Sequence, residues 1–123
     1  MGEAKSMKKM KPILPTLKQK KRYIAFEVIS DKPIAKFGTV STAIWKACLS
    51  FMGEIGVSKA GLWLLPDCWN EKRQRGLIRT GNKSIHEVKA SLAFIKKINR
   101  QNVIVRSVGI SGMLNKALKN YVQ

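Results

Sequence analysis

The feature that most constrains the fold is an alternating apolar segment that directly follows a run of positive charge. Ile24, Phe26 and Val28 recur at every second position, which predicts one face of a strand over residues 23–29. The residues between them are also largely apolar, so the strand is expected to be buried on one face and at least partly covered on the other. The segment is therefore predicted to be a central strand of a sheet.

The charge balance gives the second strong signal. The chain of 123 residues carries 24 Lys and Arg against 7 Asp and Glu, a formal net charge of +17. Like charge at this density destabilises a compact state through self-repulsion, which favours a partner that supplies negative charge. Nucleic acid is favoured over an anionic membrane surface. The longest apolar run before residue 18 is Ile13-Leu14, so no signal peptide or membrane span is expected and the protein is predicted to be cytoplasmic.

Hydrophobic periodicity predicts the order strand, helix, strand, strand, helix, strand and a final short amphipathic helix. The first helix is expected over about residues 41–55 and the second strand over residues 58–65. A second helix is expected over about residues 84–98. Residues 1–21 are predicted to form a basic, flexible N-terminal tail, and residues 22–123 a single domain.

This order is that of the ferredoxin-like, or RNA-recognition-motif-like, split β-α-β sandwich with an additional C-terminal helix. The fold is of the α+β class, and its antiparallel sheet of four strands carries two helices on one face. Right-handed crossovers place the first and third strands in the middle. Pro66 cannot donate a ladder hydrogen bond, which agrees with an edge position for the second strand.

Positive charge gathers at the ends and edges of the predicted sheet, where it suits RNA phosphates and shape rather than bases. The outward face of the first strand offers one ring, Tyr23, and the third strand offers none, which argues against a base-stacking platform. The predicted RNA-binding residues are Lys18, Lys20, Lys21, Arg22, Arg73, Arg75, Arg79 and Arg106.

The first helix carries an unusually wide apolar stripe, with Trp45, Leu49 and Met52 on its second flank. Extra width on a helix is usually core, but a tryptophan on the flank is also typical of a protein interface. Both interpretations stay open. The predicted protein-interface residues are Trp45, Leu49, Met52 and Trp63.

No catalytic residue, metal site or cofactor bound by the protein is predicted. The seven acids form no pair with metal-holding or acid-base spacing, and the single His86 lacks a nucleophile partner. Cys48 and Cys68 form no Cys-x-x-Cys pair, and both thiols are expected to be reduced. Small phosphatases of acyl phosphates share this strand order, but no glycine-rich anion loop leads into the first helix.

Six short motifs occur in an order and at a spacing that are specific when taken together. They are Pro-Thr-Leu at 15–17, Lys-Lys-Arg-Tyr-Ile-Ala-Phe at 20–26, Ala-Ile-Trp-Lys-Ala-Cys at 43–48, Gly-Glu-Ile-Gly at 53–56, Gly-Leu-Ile-Arg at 76–79 and Arg-Ser-Val-Gly-Ile-Ser-Gly at 106–112. In this combination the chain resembles the family of archaeal ribonuclease P protein component 2. The resemblance covers most of residues 15–113.

The resemblance implies a non-catalytic subunit of the ribonucleoprotein that removes the 5′ leader of precursor tRNA. The catalytic groups and the magnesium ions would belong to the RNA, and precursor tRNA would be an indirect partner. The implied direct partners are the ribonuclease P RNA and ribonuclease P protein component 3, in a heterotetramer with two copies of each protein. The alternatives are a ribosomal-protein-like or other structured-RNA-binding protein, a single-strand RNA module, and a protein adaptor acting through Trp45, Leu49 and Trp63.

Overall fold

The structure, a computed structural model, describes residues 20–123. Of the predicted tail of residues 1–21 only Lys20 and Lys21 are described, and Lys18 lies outside the described residues. The elements are β1 (Lys21–Ser30), α1 (Phe37–Ala60), β2 (Trp63–Asn70), β3 (Arg75–Gly81), a 3-10 turn (Asn82–Ser84), α2 (Ile85–Ala93), β4 (Lys97–Ile98), β5 (Gln101–Ser111), α3 (Leu114–Ala117) and a π-helical turn (Leu118–Val122).

The strands form one antiparallel sheet in the order β2-β3-β1-β5-β4. The predicted split β-α-β fold is confirmed, with β1 and β3 in the middle of its four main strands. The two-residue strand β4 is an addition that extends the sheet beyond β5, through pairing of Lys97 with Asn102 and of Ile98 with Gln101.

The main core lies between the sheet and the helices α1 and α2, on what we call the inner face of the sheet. Ile24, Phe26 and Val28 are buried there, as their alternation predicts, and they belong to one cluster with Ile44 and Cys48 of α1. Burying each large side chain of this kind stabilises the fold by about 1.5–3 kcal/mol. The helices thus occupy one face, and the other face of the sheet is left for separate contacts.

Helix α1 begins at Phe37, about four residues before the predicted start. Lys36 is extended, and the hydroxyls of Ser41 and Thr42 donate to the carbonyl of Gly38 at 3.1 and 2.8 Å. The two hydroxyls therefore bond back inside the first turns of the helix and do not cap it.

The predicted boundary between the first helix and the second strand was wrong. Gly53 does interrupt the helix, with φ 76° and ψ 170°, but helical structure resumes and continues to Ala60. Val57 and Ala60 are buried against the core, so tertiary contact extends the helix past the glycines until Gly61 ends it with φ 63°. Residues 58–60 of the predicted strand 58–65 are consequently helix, and β2 begins at Trp63, after Gly61.

Two further features concern the end of α2 and the pairing of β2. Helix α2 ends at Ala93, short of residue 98, yet Ile95 and Ile98 are still buried because the following loop and β4 run along the core. Pro66 lies in β2 at the edge of the sheet, as predicted, and the pairing of β2 with β3 is irregular between Leu65 and Asn70.

The C-terminal segment covers the middle of the opposite, outer face of the sheet. The π-helical turn Leu118–Val122 packs against Ala25 of β1 and Leu77 of β3 in a second, smaller apolar cluster. The ring of Tyr121 lies directly on Gly109, where an added Cβ atom would stand 2.2 Å from the ring carbons. The chain itself therefore covers the face on which a central base-stacking platform would lie.

Candidate nucleic-acid interface

The side chains of the outer face form three rows that run across the strands, and the C-terminal segment covers the middle row. It runs Leu65, Leu77, Ala25, Gly109 across β2, β3, β1 and β5. The row on one side runs Trp63, Arg79, Tyr23, Ser111, and the row on the other side runs Arg75, Glu27, Arg106. Predicted RNA-binding residues occur in both flanking rows.

Four of the eight predicted RNA-binding residues lie at one end of the sheet, which we call the basic end: Lys20, Lys21, Arg22 and Arg79. Lys20 is exposed, and its carbonyl accepts a hydrogen bond from the backbone N–H of Asn82 at 2.8 Å. Arg22 donates from Nη1 to the carbonyl of Lys21 at 3.0 Å. Backbone pairing of β1 thus fixes the positions from which these cations project.

Arg79 occupies the centre of the basic end. Its guanidinium carbon lies 5.8 Å from the centroid of the Trp63 ring, within the range of a cation–π contact. Its Nε atom is buried and has no hydrogen-bond partner within the described residues. Burial lowers the pKa of Lys21, and the positive charge of Arg79 lowers it further. The positive charges of Lys21 and Arg79 therefore lie close enough to repel each other.

Arg75 and Arg106 lie at the other end of the sheet, where both contact Glu27. Nε of Arg75 lies 3.2 Å from one carboxylate oxygen, and Nη2 of Arg106 lies 2.8 Å from the other. Burial alone would raise the pKa of Glu27, but hydrogen bonds from Arg106 and Arg75, with their charges, hold it below its ordinary value. Arg75 also donates to the carbonyl of Tyr121 at 2.9 Å. Its position is therefore set by contacts within the protein, whereas the side chain of Arg106 is 58% exposed.

Arg73 is an exposed residue of the turn between β2 and β3. Its backbone N–H donates to Oδ1 of Asn70 at 3.2 Å, and its guanidinium donates to the carbonyl of Gln123. The amide of Asn70 likewise donates to the carbonyl of Val122 at 2.8 Å. Arg73 thus helps to hold the C-terminal segment and lies apart from the basic end.

The predicted protein-interface residues divide between the two faces of the sheet. Trp45, Leu49 and Met52 lie on α1, where Leu49 and Met52 pack against the core and Trp45 is 41% exposed. Trp63 projects from the outer face and does not join them. A groove of about 800 Å³ separates α1 from β2, and its apolar lining includes Phe37, Trp45, Leu49, Leu64 and Pro66.

The sequence analysis missed three apolar lining residues of this groove, Phe37, Leu64 and Pro66. Phe37 precedes the predicted start of the first helix, Leu64 was considered only within the second strand, and Pro66 only for its effect on the position of that strand. The period-two alternation of Leu64 against Trp63 was the available signal, because it separates the two residues onto opposite faces.

Within residues 20–123 no group of three or more His, Cys, Asp or Glu side chains is placed to hold a metal ion. Burial raises the pKa of both thiols, and a hydrogen bond with Ser91 opposes this at Cys48 while the charge of Asp67 adds to it at Cys68. None of the helices in this part of the chain combines the length and apolar character that a membrane span requires.

Comparison with known proteins gives a consistent result. The sequence model of the Rpp14/Pop5 family matches residues 22–122. Proteins named ribonuclease P protein component 2 are similar over most of the chain. The one from Pyrococcus furiosus is 38% identical, covering 91% of both chains, and the one from Thermococcus kodakarensis is 35% identical, covering 93% of this chain and 92% of its own. The one from Methanocaldococcus jannaschii is 37% identical, covering 88% of this chain and 77% of its own.

Proposed function

Since the chain belongs to the Rpp14/Pop5 family, we propose that it is a protein subunit of ribonuclease P that binds the catalytic RNA through the basic end. The observation that carries this proposal is the position of Lys20, Lys21, Arg22 and Arg79 at one end of the sheet. No acidic residue occupies the register positions of β1, β2 and β3 at this end. An RNA phosphate there would be attracted by the positive charges of these side chains.

The proposed mechanism is electrostatic support of a ribozyme. Each protein cation that contacts an RNA phosphate releases condensed counterions, which favours binding. Because the phosphate charge is then partly neutralised, the RNA backbone can fold more closely. Cleavage of the 5′ leader of precursor tRNA, and the magnesium ions that serve it, are assigned to the RNA. The protein contributes position and charge, and no reacting group.

The exposed flank of α1 is assigned to a protein partner. The groove beside Trp45 and Leu49 is apolar and lies on the inner side of the sheet, away from Arg79 and Trp63. We assign this side to ribonuclease P protein component 3, with two copies of each protein in the assembly. The RNA and the protein partner would then bind at separate places on the domain.

Reconstitution tests the proposal directly. Precursor-tRNA cleavage by the RNA with component 3 is measured with and without this chain at limiting magnesium. A higher cleavage rate with the chain present is expected, because protein cations substitute for part of the ionic support of the RNA. An unchanged rate, with co-sedimentation of the chain on ribosomes, would instead indicate a ribosomal-protein-like role.

A matched pair of variants tests the assignment of the basic end. Lys20→Ala with Arg22→Ala removes two charges there, and Lys36→Ala with Lys59→Ala removes two exposed charges at the ends of α1. For the first pair the slope of log affinity against log salt is expected to fall by roughly 1.5 to 2. The second pair should keep the wild-type slope. Equal slopes for both pairs would contradict this location of the phosphate contacts.

A further inference from the structure

The C-terminal segment, residues 114–123, covers the outer face although it has little structure of its own. Four of its residues form α3 and the next five form a π-helical turn, and helical structure this short is marginal by itself. Ala117 and Val122 are buried, whereas Lys116 and Lys119 are exposed. The segment is therefore held mainly by its contacts with the sheet and with the hairpin of β2 and β3.

Two arginines of this hairpin donate to backbone carbonyls near the end of the segment. Nη1 of Arg75 donates to the carbonyl of Tyr121 at 2.9 Å, and the guanidinium of Arg73 donates to the carbonyl of Gln123. A phosphate oxygen is a stronger acceptor for an arginine than a carbonyl oxygen, because the acceptor is then ionised as well. The backbone of an RNA therefore offers both arginines better acceptors than the segment does.

Glu27 leaves Arg75 able to make that exchange. The Glu27 carboxylate is shared by Nε of Arg75 at 3.2 Å and Nη2 of Arg106 at 2.8 Å, so two positive charges face one negative charge. Nη1 of Arg75 bonds to the carbonyl of Tyr121 and takes no part in this ion pair. It can accept a phosphate in place of that carbonyl while Nε stays with Glu27.

The packing between the segment and the hairpin is open. A cleft of about 530 Å³ lies between them, and its lining includes Cys68, Asn70, Leu118 and Val122. Asn70 bonds to the carbonyl of Val122 at 2.8 Å. The apolar cluster under the segment is also smaller than the main core on the inner face. Moving the segment away would therefore disrupt less packing than opening the main core.

Building on the function proposed above, we propose that the C-terminal segment is an autoinhibitory contact for RNA binding. In the free protein it engages Arg73 and Arg75, two of the predicted RNA-binding residues, and covers the row of Ala25 and Leu77. When ribonuclease P RNA extends from the basic end to these arginines, its phosphates replace the carbonyls and the segment is released.

Labelling of Cys68 with a maleimide tests the release without any substitution. Cys68 packs against the apolar cluster under the segment, whereas Cys48 is fully buried in the main core and is the internal control. Adding ribonuclease P RNA to the full chain at low salt should speed the labelling of Cys68 at least about 5-fold, because local opening exposes covered groups. Labelling of Cys48 should not change. A Cys68 rate that bound RNA leaves unchanged or lowers would overturn the release.

A pair of variants tests the inhibition itself. Tyr121→Ala removes the ring that rests on Gly109 and so loosens the segment, while Trp45→Ala removes an exposed ring from the inner side. Tyr121→Ala should bind the RNA about 3- to 30-fold more tightly than wild type and steepen the dependence of log affinity on log salt by roughly 1 to 2, because the freed arginines reach phosphates. Trp45→Ala should keep the wild-type values. Circular dichroism confirms that each variant is folded.

A third substitution separates this inference from the proposed function. Arg73→Gln in the Tyr121→Ala background should remove about half of the gain in salt dependence. A gain that persists in full, or a Tyr121→Ala variant that binds no more tightly than wild type, would overturn the autoinhibition while RNA binding by the basic end stands. If wild-type protein binds no ribonuclease P RNA even at low salt, the proposed function fails together with this inference.

Discussion

Replacing Gly109 by alanine is expected to displace the ring of Tyr121 from its position on the outer face of the sheet. The new Cβ atom would stand 2.2 Å from two ring carbons of Tyr121, well inside any allowed contact. The ring has to move by more than about 1 Å, because carbon atoms approach favourably only to about 3.5–4.0 Å. Arg75 restrains the backbone of Tyr121 through its carbonyl, so the displacement falls mainly on the ring.

The expected cost is about 1–3 kcal/mol of unfolding free energy, the usual range for an overpacked contact. For a domain of this size that corresponds to a fall in Tm of roughly 4–12 °C. Urea and thermal unfolding followed by circular dichroism measure both quantities. Gly38→Ala is the matched control, since nothing lies within 4 Å of its added Cβ atom. That variant lies in α1 and is expected to be neutral or to gain about 0.5–1 kcal/mol.

A double variant separates this clash from a general intolerance of alanine at position 109. In a Tyr121→Ala background the ring is absent, so Gly109→Ala should cost almost nothing more. The coupling free energy of the cycle should then match the cost of the single glycine variant. Equal costs in both backgrounds would refute the conclusion that Tyr121 rests on Gly109.

The remaining predictions concern stability. Because the pKa of Glu27 is depressed, its contribution is complete above the ordinary carboxyl pKa and is lost as the pH falls through the lower folded-state value. Glu27→Gln should therefore lower the free energy of unfolding by roughly 1 kcal/mol at neutral pH and leave it unchanged in strong acid, as measured by urea unfolding across pH. A difference that does not depend on pH would contradict the ion pairs. Gly53→Ala should destabilise by about 1–3 kcal/mol in thermal unfolding, because φ 76° with ψ 170° strains any other residue, and an unchanged Tm would refute the break in α1. Thr80→Val should cost about 1–3 kcal/mol in urea unfolding, because the buried Thr80 hydroxyl donates to the carbonyl of Ala60 at 2.9 Å; a neutral result would mean that this carbonyl finds another donor.

Local patterns predicted the fold well. The alternation around Phe26 depends on residues close in sequence and is buried as expected, and so are Ile44 and Cys48 of the apolar stripe of α1, whereas Phe51 and Ile55 of that stripe are exposed. The order of elements then left few topologies, and the edge position of Pro66 agreed with the one observed. The α1–β2 boundary failed because burial of Val57 and Ala60, a tertiary effect, outweighed the glycines.

The sequence predicted what type of partner the candidate site binds, but not how the residues of the site are arranged. Composition alone indicated a polyanionic partner, and the motifs indicated the family. Neither showed that Arg75 and Arg106 would meet at Glu27, across 48 and 79 residues of sequence. Nor did they show that Trp63 would lie beside Arg79 on the outer face of the sheet, whereas Trp45 lies on the inner side.

The sequence by itself determined the strand and helix patterns, the excess of positive charge and the likeness to a family, because each is a property of residues read in order. Only the tertiary structure decided which cations contact Glu27, which of them lie at the basic end and what covers the outer face of the sheet. The physical reason is strand register. Pairing between distant strands sets which side chains are neighbours, and a shift of one residue would move every one of them to the opposite face.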